Sequence, residues 1–115
     1  MNDFKLATLN IVDPYPVIDE MCAEAGKNVV RANELYKGKV VSAKGEFYLY
    51  DSFEASPYIR FETKSFIVSM DMNVKTEPWK QYDLGNNVSS GEIKVRRISV
   101  LPNSLGKIYC SISGE

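Results

Sequence analysis

Residues 36–50, YKGKVVSAKGEFYLY, decide the fold. From Lys39 to Tyr50 the chain alternates with period two. Val41, Ala43, Gly45, Phe47 and Leu49 fall on one side; Val40, Ser42, Lys44, Glu46, Tyr48 and Tyr50 fall on the other. Successive side chains of a strand point to opposite faces, so this is the pattern of a half-buried strand with the first set facing a core. Glycine inside a strand permits a bend or bulge. Gly45 is therefore the predicted point at which one long strand turns to serve both halves of a curled sheet.

Upstream, residues 17–35 have helical spacing. Apolar or small residues recur at Ile18, Met21 or Cys22, Ala25, Val29, Ala32 and Tyr36, while Glu20, Glu24, Lys27, Arg31 and Glu34 fall mostly on the other face. Asp19 and Glu20 belong to the predicted first turn, where the helix dipole favours negative charge. Gly26 costs a helix about 1 kcal/mol relative to alanine and marks a kink or a close approach. Gly38 suits the helix stop. The prolines of Asp13-Pro14-Tyr15-Pro16 are expected to prevent regular structure. Residues 4–12 alternate weakly, as a short strand or an ordered arm.

Downstream, residues 51–57 read as a loop, and Tyr58–Thr63 and Phe66–Met72 as strands joined tightly at Lys64-Ser65. Phe66, Val68, Met70 and Met72 are inward by alternation. Residues 73–91 are the least regular stretch, with a helical turn near Trp79–Tyr82. In Glu92–Leu101, Ile93 and Val95 share one face and Ile98 and Val100 the other. The phase slips at Arg96-Arg97, which predicts a bulge. Pro102-Asn103-Ser104 turns the chain into a last strand, Lys107–Ser113, with Ile108, Cys110 and Ile112 inward. The expectation is one domain over residues 1–115, mainly β with an N-terminal α-helix: a helix at about 17–36 and, over about 39–113, a five-stranded OB-fold-like Greek-key barrel. A β-sandwich or an SH3-like barrel would give similar strand counts.

Composition narrows the chemistry. A chain of 115 residues with net charge −1 carries no global field that recruits nucleic acid or anionic membrane. The charge is uneven. Residues 1–35 hold Asp3, Asp13, Asp19, Glu20, Glu24 and Glu34 against Lys5, Lys27 and Arg31. Residues 92–107 hold Lys94, Arg96, Arg97 and Lys107 against Glu92 alone. These are either two solvated faces or, at the basic end, a patch for an acidic partner.

With no histidine, the commonest general base and metal ligand is missing, and neither cysteine has one to activate it. No enzyme activity, metal or other cofactor is expected. Cys22 and Cys110 lie far apart and form either two core thiols or one disulfide. Their apolar surroundings favour reduced core thiols. No apolar run approaches the roughly 18 residues of a membrane span, so no membrane partner is expected. MNDFKLATLN lacks the basic start and apolar run of a secretion signal. A cytoplasmic location follows, or an exported one if a leader has been removed.

The run Asn28, Ala32, Tyr36-Lys37-Gly38-Lys39-Val40 and Gly45 resembles the signature of the tRNA_anti-like family of bacterial OB-fold domains. The match is concentrated in residues 28–49. Those domains open with a helix carrying an asparagine, an alanine four residues on and a tyrosine four beyond that, followed by a YKGK-type lead-in and a glycine kink. Position 25 is alanine where that family often has an aromatic. The resemblance implies an OB barrel and leaves activity open, because a shared fold is not a shared function.

Two binding readings follow. In the first, a protein partner meets the exposed tyrosines, with Trp79 as a hot-spot candidate; one version is a small inhibitor or regulator of a nucleic-acid-handling complex, of the kind a mobile element encodes. In the alternative, single-stranded nucleic acid stacks on Tyr48, Tyr50, Tyr58 and Phe66 beside Arg60, Lys94, Arg96 and Arg97, with Lys44 and Lys64 along the same track. The plainer reading of the same residues is that the rings fill barrel ends and the bases keep sheet edges soluble.

Overall fold

The computed structural model describes residues 13–50, 56–101 and 107–114. The arm at residues 4–12, most of the loop after Tyr50 and the turn at Pro102-Asn103-Ser104 lie outside the described residues. Among the described residues two helices come first, where one was expected: α1, Tyr15–Lys27, and α2, Val29–Tyr36. The strands are β1 (Val40–Val41), β2 (Lys44–Leu49), β3 (Pro57–Glu62), β4 (Phe66–Asp71), β5 (Asn87–Ser89), β6 (Ile93–Leu101) and β7 (Ile108–Gly114). A 3₁₀ turn at Trp79–Gln81 falls where a helical turn was predicted.

The prolines start the helix instead of stopping it. Pro14 is the N-cap and Pro16 lies in the first turn, where a missing N–H has no intrahelical partner to lose. This early start moves Asp19 and Glu20 out of the first turn. Asp19 instead accepts from the Thr63 hydroxyl at 2.7 Å and the Ser65 N–H at 3.0 Å, tying α1 to the β3–β4 connection. The break comes at Asn28, not Gly26. Asn28 is extended, with φ −161°, and its side chain accepts from the Arg31 N–H at 3.0 Å, as an asparagine N-cap does.

The seven strands among the described residues form one sheet, ordered β1-β6-β7-β4-β3-β2-β5; β4 and β7 pair in parallel and the other neighbours antiparallel. Only Ser42 and Ala43 separate β1 from β2, yet β1 ends that order and β2 lies next to its other end. The sheet must therefore curl into a half-barrel that brings its ends together. The extra strands arise because the long predicted strand divides at Ser42-Ala43 and because β5 pairs with β2. Ser90 spans the division, its N–H donating to the Ala43 carbonyl at 2.8 Å and its hydroxyl accepting from the Ala43 N–H at 3.2 Å.

Gly45 thus lies two residues past the break, and its role is close approach. A Cβ there would sit 2.6 Å from the Arg60 carbonyl oxygen of β3. Phe66, Val68, Met70 and Met72 are buried as expected, as are Ala43, Phe47, Cys110 and Ile112. Leu49 is not: it is 38% exposed, at the sheet's rim opposite Pro57. The register shift between Val95 and Arg97 is the predicted bulge. Its consequence differs from the expectation, because the extra residue restores the phase. Ile93, Val95 and Ile98 are consequently all buried, and Val100 packs against the same core.

The helix pair covers this core with Ile18, Met21, Cys22, Ala25 and Ala32. Asn33 locks α2 to β6 by bonding both main-chain groups of Ile98. Its Nδ2 donates to the carbonyl at 2.9 Å, and its Oδ1 accepts from the N–H at 2.7 Å. The expectation of reduced thiols is overturned. Cys22 and Cys110 form a disulfide between α1 and β7, across 88 residues of sequence, with Cα atoms 6.0 Å apart. Both positions lie on inward faces, and the packing of α1 onto the sheet brings those faces together.

Candidate binding face

Alternation places Tyr48, Tyr58, Asp71, Ser113 and Arg97 on the outward side of the sheet. The register puts them in one row: Tyr48 opposite Tyr58, Tyr58 opposite Asp71, and Arg97 opposite Ser113. Asp71 and Ser113 each follow the paired residues Met70 and Ile112 of the parallel strands. A second row runs Glu46, Arg60, Ser69, Ser111, Ser99. Most of the predicted contact residues are therefore gathered on one outward surface, although they come from three strands and the segment after β2.

Tyr50, just past β2, folds across this surface. Its ring stacks on Tyr58 with centroids 4.0 Å apart, and Tyr48 stands 5.9 Å from Tyr58 in a tilted pair. The Ser111 hydroxyl lies near the Tyr50 phenol and favours its ionised form. Burial and then the nearby Asp71 carboxylate push the Tyr50 phenol above its ordinary range. Asp71 is half-buried, and burial raises its carboxyl too. The Gly114 N–H, donating to its Oδ2 at 3.2 Å, and the charge of Arg96 partly offset that rise.

The cations divide. Arg60 is half-buried in the second row, whereas Lys94, Arg96 and Arg97 are exposed along β6, Arg96 being the extra residue of the bulge. Ion pairs among the described residues link Glu24 to Lys27 and Arg31, and Glu62 to Lys107; none involves these four cations. Trp79 does not join the face: it is half-buried, packs against the core, and has the Lys80 ammonium 5.7 Å from its ring centroid. Phe66 is buried inward. Sequence reasoning missed Asp71 and Ser111, which only cross-strand register brings beneath Tyr50.

The motif residues have structural roles. Asn28 caps α2, Ala32 is fully buried, and Tyr36 packs against the core. Gly38 adopts φ +90° while its N–H donates to the Val95 carbonyl at 2.7 Å, and the Lys39 carbonyl accepts from the Val95 N–H at the same distance. Together these residues fix how the helix pair hands over to the sheet. No family model matches the chain, and no curated protein or solved structure matches it. The likeness to the tRNA_anti-like family accordingly stands on those motif residues alone. Among the described residues no helix is long and apolar enough to cross a membrane.

Proposed function

We propose that this chain is a non-catalytic OB-type binding module that docks onto a protein through its tyrosine face. Support for the OB type comes from the strand order, the parallel β4–β7 pair and a β1–β2 segment that pairs on both sides of the curled sheet. The observation that carries the protein reading is the Tyr48-Tyr50-Tyr58 cluster above half-buried Asp71. Rigid amphipathic rings around a partly desolvated polar group are the usual anchors of protein interfaces.

The same arrangement disfavours nucleic acid. Tyr50 and Tyr58 stack on each other and so cover ring faces a base would need. A phosphate chain crossing the face would also meet Glu46 and Asp71, with Glu62 further along β3. The Cys22–Cys110 disulfide favours an oxidising compartment over the cytoplasm, away from most nucleic acid.

The test is cross-linked capture from the native host, followed by calorimetry with the partner so identified. Replacing Tyr50 and Tyr58 together by alanine should weaken binding by about 30-fold or more, the effect of losing a hot spot. Unchanged affinity would sink the reading. Anisotropy with labelled single-stranded DNA and RNA covers the alternative. Micromolar, salt-sensitive binding that disappears on Arg96→Ala with Arg97→Ala would move the assignment to nucleic acid.

A further inference from the structure

A second surface, away from the tyrosine face, lies where the chain leaves α2. β1 ends the strand order and pairs only with β6, so its other edge has no strand beside it among the described residues. That edge forms one wall of a groove of about 710 Å³, within the range of clefts that hold ligands. The facing wall comes from Pro14, Tyr15, Val17 and Met21 at the start of α1.

Hydrogen bonding shows which main-chain groups face it. The Ala43 carbonyl and Phe47 N–H bond toward Ser90 and Asn86, so odd-numbered positions are turned to the β5–β6 side. Even-numbered positions face the other way, since strand hydrogen-bonding groups alternate. At Lys44 the Tyr15 hydroxyl already acts as a neighbouring strand would: it donates to the carbonyl at 2.8 Å and accepts from the N–H at 3.2 Å. By the same alternation, Ser42 and Val40 present their main-chain groups to the groove.

We propose that this groove takes an extended, acidic segment of a protein partner, added as a strand along the edge at Val40–Ser42. Main-chain pairing supplies affinity, and pockets for alternate side chains supply selectivity. The apolar lining of Met21, Tyr36 and Val41 receives one side of such a strand, and Val40 is 59% exposed beside it. Lys39 and Lys44 line the groove, with Lys37 and Lys94 exposed alongside β1; Glu92 is the one carboxylate in the lining among the described residues. Edge lysines commonly serve to repel stray strands. Here a facing apolar wall makes the edge a channel; Glu20 and Glu24 approach Tyr36 from the helix side, and the lysines along the strand edge itself select an acidic occupant.

The test is amide NMR of the full chain, titrated with a synthetic peptide of alternating glutamate and valine. Shifts and slowed exchange are expected at Val40 and Ser42, with affinity falling as salt rises. A lysine–valine peptide should bind at least tenfold more weakly. Ser42→Pro, which removes a groove-facing N–H that the sheet does not use, should abolish binding while the circular dichroism stays unchanged. Lys39→Glu with Lys44→Glu should lower affinity at least tenfold. Equal binding of the two peptides, or shifts confined to Tyr48, Tyr50 and Tyr58, would overturn the proposal. So would nuclear Overhauser contacts from Phe4 or Leu6 to Val41 in the free chain, or self-association through this edge. The tyrosine face can fail its own test without affecting this one.

Discussion

Reducing the Cys22–Cys110 disulfide should cost this domain a large part of its stability. The bond closes a span of 88 residues. In the chain-entropy account, a loop of that length restrains the unfolded state by about 4.6 kcal/mol at 25 °C, against the roughly 2–5 kcal/mol seen when native disulfides are removed from small domains. A whole domain is stable by only about 5–15 kcal/mol, so the effect is easily read.

The assay is urea unfolding of the oxidised protein with and without reductant. With a slope of about 1.5 kcal/mol per molar, the midpoint should fall by roughly 2–3 M. Reduction leaves both sulfurs in place and reports the tether alone. The paired Cys22→Ala, Cys110→Ala variant should lose about 1 kcal/mol more, because both side chains are fully or almost fully buried and their removal leaves cavities. A midpoint shift below about 0.5 M would refute the reasoning. Two titratable thiols in the unreduced, denatured chain would refute it at an earlier step.

Two further outcomes test the framework of the site. Asn33→Ala leaves both main-chain groups of Ile98 without their partner; at a half-exposed position this should cost about 2–3 kcal/mol, read as a fall in denaturation midpoint, and a loss under about 0.5 kcal/mol would mean that water substitutes freely. Asp71 tests the face itself. Its carboxyl is raised by burial, so the folded state binds its proton more tightly than the unfolded chain does, and stability contributed by that protonation is present below the ordinary carboxylate pKa and lost as pH rises through the folded one. Asp71→Asn still accepts from the Gly114 N–H, so it should equal or exceed the parent's stability at about pH 7 and show no gain near pH 3; marked destabilisation at neutral pH would mean that Arg96 holds the carboxylate as an ion pair.

The sheet was legible wherever a strand has one wet face and one dry one. Period-two alternation identified Phe66, Val68, Met70 and Met72, and it placed Tyr48 and Tyr50 on the side away from the core. The bulge at Arg96-Arg97 showed as a slip of phase, yet its effect was misjudged: an inserted residue returns the following side chains to the original face. β5 left no such trace, since three residues beside an existing strand need no pattern of their own. The helix break was hidden because Asn28 interrupts the backbone without interrupting the apolar spacing of the sequence, although Val29, read as part of that inward face, is 43% exposed.

Local chemistry, then, was enough to determine a mainly β domain fronted by helical segments, most of its inward residues and the tyrosines of its outer face. Each follows from neighbours along the chain, through side-chain spacing, capping and turn preference. Only the tertiary structure decided that Cys22 meets Cys110, that Asn33 reaches Ile98, that Asp71 and Ser111 lie beneath Tyr50, and that the edge of β1 faces an open groove. Those pairings join residues far apart in sequence, set by how the sheet curls and where α1 rests on it, and no local periodicity records either.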